Sequence, residues 1–129
     1  MRTALGLAAA LLALPATAQT GWQVVLATPA EVVAIETASV ELLPDGIRFR
    51  ERRSLDGGQV DPHSRRPVRE ILSKRLLDCK GRRIATLSYA VFAEHDALIE
   101  HRATHLRSAV WQALAADDPL FRQLCGRSN

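Results

Sequence analysis

A chain of 129 residues with 17 Lys plus Arg against 14 Asp plus Glu carries a formal +3, with 47% hydrophobic and 24% charged residues. Those are the proportions of an ordinary globular protein, and they exclude a disordered tail or a multi-span membrane protein. The first stretch must be separated from the fold. Arg2 precedes an unbroken apolar run over residues 4–14, and Pro15-Ala16-Thr17-Ala18-Gln19 follows. A positive start, an apolar run too short to span a bilayer, and an A-x-A site together read as a secretory signal peptide. The expectation is a signal peptide over residues 1–18 and one exported domain over residues 19–129, periplasmic or secreted. No later segment approaches membrane length and no Cys lies near Ala18, so the mature chain is expected to hold neither a transmembrane segment nor a lipid anchor.

In chain order, Trp22-Gln-Val-Val-Leu-Ala27 is short, apolar and β-branched, and Pro29 closes it. Residues 31–36 and 39–43 repeat the pattern, with a break at Thr37-Ala38; density of Val and Ile favours strands over helix. Pro44-Asp45-Gly46 is a turn, and Ile47-Arg48-Phe49-Arg50 then alternates, which puts Ile47 and Phe49 on one face and Arg48, Arg50 and Arg52 on the other. Residues 55–68, with Gly57-Gly58, Asp61-Pro62 and Pro67, read as a long loop with little apolar burial. Residues 69–79 resume apolar positions, Lys80-Gly81 turns, and residues 84–92 form the clearest strand, with Leu87, Tyr89 and Val91 on one face. Glu94-His95-Asp96 turns into residues 97–102. A last helix is capped by Asp117 or Asp118, starts at Pro119, shows an apolar stripe of Leu120, Phe121 and Leu124, and stops at Gly126. The expected fold is mainly β (α+β): a small antiparallel sheet with a short C-terminal helix. Cys79 and Cys125 are the only cysteines, and in an oxidising compartment they allow one intramolecular bridge, which would tie that helix to the sheet.

Chemistry-bearing motifs are few. Of His63, His95, His101 and His105, the last two are four apart and would share a face if residues 102–108 were helical, but that pair lacks a third ligand at metal-site spacing. No G-x-S-x-G or H-E-x-x-H occurs, and Gly57-Gly58 has no strand-to-helix context for a phosphate loop. No catalytic residue, cofactor or metal is expected. Trp22 and Trp111 are assigned to the core, because only three Phe and one Tyr are otherwise available to fill it.

Charge is unevenly spread. Residues 19–47 carry four acids and no Lys or Arg, residues 48–83 carry twelve Lys or Arg against five acids, and residues 84–129 carry four against five. Two readings of the basic segment stand side by side. Arg48, Arg50, Arg52, Arg65, Arg66 and Arg69 form a surface for an anionic partner, such as a lipid headgroup, a sulfated glycan or an acidic protein patch. Alternatively, acidic first strands lie beside basic central ones and the charges pair within the sheet. Nucleic acid is excluded by export and by the shortage of stacking aromatics.

The order of short motifs carries a resemblance. A Trp-led first strand, Ile35-Glu-Thr-Ala-Ser-Val40, Leu77-Asp78-Cys79, Tyr89 in the next strand, and Trp111 followed by a helix ending in Leu124-Cys125 together resemble the surface-adhesin protein E-like family. The resemblance implies a small antiparallel sheet with a C-terminal helix held by a Cys79–Cys125 bridge. It also implies a non-catalytic exported binding module, named members being bacterial outer-membrane adhesins for host matrix and serum proteins. The other reading is a periplasmic accessory protein that binds another envelope protein. The chain departs from the adhesin type in lacking a Cys for lipidation near Ala18.

Overall fold

The computed structural model describes residues 21–126; the expected signal peptide and its cleavage site lie outside the described residues. Strand β1 (Trp22–Ala27) turns through Thr28, whose hydroxyl accepts the Glu31 amide at 3.1 Å, into β2 (Glu31–Glu36). A 3-10 turn over Thr37–Ser39 interrupts the run, so β3 (Glu41–Leu43) starts two residues later than the sequence pattern indicates. The hairpin to β4 (Gly46–Leu55) needs glycine at its bend. Gly46 sits at φ +154, and a Cβ there would come within 2.4 Å of the Leu77 carbonyl oxygen.

The remaining strands are β5 (Glu70–Asp78), β6 (Arg83–Phe92), β7 (Leu98–Ala103) and β8 (Trp111–Ala113), followed by helix α1 (Pro119–Cys125). They make one antiparallel sheet in the order β1-β2-β4-β5-β6-β7, with β3 also pairing β4 and β8 also pairing β6. Asp118 caps α1 by accepting the Leu120 amide at 2.9 Å and the Phe121 amide at 3.4 Å, and Pro119 occupies the first turn, where its missing N–H costs nothing.

Register divides the sheet into two faces. On the inner face Ile35, Ile47, Phe49, Leu77 and Ile84 meet Leu120 and Cys125 of α1 in one buried cluster. The Cys79–Cys125 disulfide, with Cα atoms 5.7 Å apart, fastens the end of α1 beside the β5–β6 turn. The fold is therefore the antiparallel sheet with a short, disulfide-tied C-terminal helix that the sequence pattern indicates.

Several local expectations are corrected. Trp22 and Trp111 are half-buried on the outer face rather than in the core, and Trp111 opens a short strand, β8, that its sequence does not announce. Residues 102–108 do not form one helix: β7 runs to Ala103, only Leu106–Ser108 make a 3-10 turn, and His101 and His105 do not share a helix face. In β6 the ladder steps from Ser88 to Thr86 against Lys74 and Arg75, leaving Leu87 as the extra residue of a bulge. The loop after β4 is better tied than its composition implies. Val60 bridges Pro67, and Val68 is buried.

Candidate functional site

Outer-face residues of β4 follow from its strand parity. Arg48, Arg50 and Arg52 project together, about 7 Å apart along the strand, while Ile47, Phe49 and Glu51 point inward and are buried. Each of the three arginines lies beside a carboxylate from a neighbouring strand or turn. Arg48 meets Glu41 of β3, Arg50 Nη1 lies 3.3 Å from Glu36 of β2, and Arg52 Nε lies 4.0 Å from Glu70 of β5. The acidic opening and the basic middle of the sequence are thus adjacent strands. These pairs remain open to water, so each contributes little to stability and keeps its guanidinium within reach of a partner.

Both tryptophans lie on this same face. The Arg52 guanidinium stacks 4.4 Å above the Trp22 ring, and Arg83, which pairs with Asp78 at 2.9 Å, stacks 4.2 Å above Trp111. Lys74, the register partner of Arg50, adds an exposed ammonium near the middle of the sheet. Hydrogen bonds from the Gly81 amide and from Arg83 hold the Asp78 carboxyl below the usual carboxylate range.

Loop arginines have different roles. Arg69 bonds the Asp56 carbonyl oxygen and Glu94, both at 2.7 Å, and so clamps the two ends of the loop to the β6–β7 turn. That contact lowers the Glu94 pKa, chiefly through the Arg69 hydrogen bond. Arg65 and Arg66 are exposed in a tight turn closed by Asp61, and neither makes an ion pair. The structure therefore brings Arg48, Arg50 and Arg52 together and uses Arg69 as a strap.

Beyond the helix, the inner face holds a charged pair that no local motif announces. Past the apolar cluster, the same face carries Glu51 of β4, only 3% exposed, with Arg75 of β5 opposite. Arg75 Nη1 reaches both Glu51 oxygens, at 3.3 and 3.2 Å. A pocket of about 210 Å³ opens there, lined also by Arg53, Ser73, Thr86 and Tyr89. Strand parity could have found it: Glu51 and Arg53 are the polar residues on the otherwise apolar parity of Ile47, Phe49 and Leu55. A second, apolar cleft of about 430 Å³ lies between α1 and β3, over Ile35, Val40, Ile47 and Leu124. Among the described residues no group of three or more His, Cys, Asp or Glu comes together as a metal site, and no helix is long and apolar enough to cross a membrane.

One face of the sheet is closed by a disulfide-tied helix, and the other carries the two Arg–Trp stacks. The family model for Surface-adhesin protein E matches residues 22–125, and the chain belongs to that family. It is an adhesin-like surface protein. Solved structures of Haemophilus influenzae protein E share its fold. One is 19% identical, covers 87% of this chain and 86% of its own, and superposes with a TM-score of 0.54. Crystal form II of that protein is 16% identical over 87% and 92% of the two chains, with a TM-score of 0.57, and a selenomethionine form is 17% identical over 90% and 94%, also at 0.57. No curated protein sequence matches.

Proposed function

We propose that the protein is a non-catalytic, exported binding module that recognises a protein partner through the outer face of its sheet. In this reading residues 1–18 direct export and are removed, and residues 19–129 act outside the cytoplasm. The contact surface is built from Arg48, Arg50 and Arg52 with Trp22, and Arg65 and Arg66 of the following loop are proposed as further contacts. The observation that carries it is the Trp22–Arg52 stack on an uncovered face. Tryptophan and arginine dominate the energetics of protein interfaces, and here both are held in place before any partner arrives. Carboxylates already stand beside Arg48, Arg50 and Arg52, which favours a protein surface of mixed charge over a uniformly anionic glycan or lipid headgroup.

Family membership points to host proteins as the partner class. The mature chain should bind at least one member of a panel of immobilised matrix and serum proteins, and Trp22→Ala with Arg52→Ala should abolish that binding without unfolding the domain. Binding that survives the double variant would remove the outer face from the reading. Cell fractionation separates the second reading, a periplasmic accessory protein, which would stay with the periplasm and never reach the surface or medium.

A further inference from the structure

We infer that the outer face seats one acidic side chain of its protein partner between Arg50 and Lys74, which makes Lys74 the residue that selects for a carboxylate. The inference rests on the outer-face reading above and names the partner chemistry that this face takes. Arg50 of β4 and Lys74 of β5 are direct register partners and project from the same side of the sheet. Like charges directly opposite each other destabilise a sheet, because their Cβ atoms are only about 4.5–5.5 Å apart. This opposition stands out against the rest of the face. Glu41, Glu36, Glu70 and Asp78 are its strand carboxylates, and they are taken by Arg48, Arg50, Arg52 and Arg83 in turn. Among the described Lys and Arg of these outer-face strand positions, Lys74 is the one with no carboxylate in ion-pair reach. The face is therefore one negative charge short, and the shortfall lies at its middle.

Both cations are open to a partner. Lys74 is exposed, and the Arg50 side chain is 47% exposed. Arg50 spends only Nη1 on Glu36, at 3.3 and 3.4 Å, so its Nε and Nη2 have no acceptor within the described protein. A carboxylate seated beside them accepts from Lys74 Nζ and from that unused edge of Arg50, and it turns a repulsive pair into a bridged one. The surroundings narrow the class of partner. Leu72 and Leu76 flank Lys74 on the same side of β5, Leu76 buried, and Ala85 of β6 is buried next to Leu76. Trp22, under Arg52, stands across β2 at about two strand spacings, or 10 Å, from β4. A polyanion such as a sulfated glycan would meet the four carboxylates of the face along with its cations. A protein segment with one Asp or Glu among apolar side chains meets a single surplus charge on a partly apolar bed, and so fits better.

The test is selection from a random linear peptide library on the immobilised mature chain, disulfide intact, with affinities then measured on Lys74→Gln and on Trp22→Ala/Arg52→Ala. Peptides selected by the wild type should share an Asp or Glu at one recurrent position. Replacing that residue by its amide should weaken binding about tenfold, the effect of one lost charge-assisted contact, and Lys74→Gln should do the same. The two losses should not add, because either change removes the same contact. Lys74→Glu supplies the missing carboxylate from within the chain. It should raise the melting temperature by about 2–6 °C while abolishing binding of these peptides, so stability and binding move in opposite directions. Peptides without a recurrent acid, affinities unchanged on Lys74→Gln, a Lys74→Glu chain that melts at or below the wild type, or no selected peptide would overturn the carboxylate site. Peptides that need the Trp22–Arg52 stack but not Lys74 overturn it and leave the outer-face reading standing, whereas peptides that need neither overturn both.

Discussion

Breaking the Cys79–Cys125 bridge offers the most quantitative check on how the fold is held. The two cysteines are 46 residues apart, and the closed loop contains the whole of β6, β7 and β8. Closing a loop of this length in the unfolded chain removes entropy equivalent to about 4 kcal/mol at 25 °C on the chain-entropy model. Cys125 also lies in the buried cluster with Leu77 and Ile84, so the bridge sits at the seam between helix and sheet. A Cys79→Ala/Cys125→Ala variant should therefore lose about 4 kcal/mol, which for a domain of this size lowers the melting temperature by about 15–25 °C. Urea unfolding followed by circular dichroism measures the first figure, and thermal melting the second. Reduced wild type should behave like the variant. Hydrogen exchange adds a spatial test: protection should fall first at the α1 amides and at the Ile35 and Ile47 amides beneath the helix. If the variant and the reduced protein melt within about 3 °C of the oxidised wild type, the bridge does not stabilise by loop closure and the reasoning fails.

Asp118→Ala removes the acceptor for two orphan amides of α1 and should cost about 1 kcal/mol, measured by urea unfolding. Gly46→Ala combines a positive φ with a Cβ pressed against the Leu77 carbonyl; it should destabilise by about 1–3 kcal/mol, whereas a neutral result would mean that the β3–β4 bend relaxes freely. Asp78 has a folded-state pKa below its unfolded value, so its contribution is fully present above about pH 4 and is lost as pH falls through the folded pKa. The stability difference between wild type and Asp78→Asn should be level from pH 5 to 7 and shrink towards pH 3; a difference that grows in acid would contradict the assigned hydrogen bonds. Arg50→Ala should change stability by less than about 1 kcal/mol, because its pair with Glu36 is exposed, and a larger loss would make that pair a structural element.

Local chemistry in the sequence was enough to set every strand but β8, with β3 displaced by two residues, as well as the Pro44-Asp45-Gly46 bend, the capped C-terminal helix and the candidate cysteine pair. Each rests on short-range rules: period-two alternation, glycine's access to positive φ, and side-chain oxygens that satisfy helix amides. Alternation also put Arg48, Arg50 and Arg52 on one face. It could not say which carboxylates stand opposite, because Glu36, Glu41 and Glu70 arrive from other strands and their register depends on turns far along the chain. Aromatic composition pointed Trp22 and Trp111 to the core, but each sits on the outer face, where an arginine from a strand remote in sequence supplies the covering surface that burial would have given. Glu51 and Arg75 are 24 residues apart and meet only because β4 and β5 lie side by side. A single strand determines its own two faces; only the assembled sheet decides what each face meets, since contacts across strands join residues that sequence keeps apart.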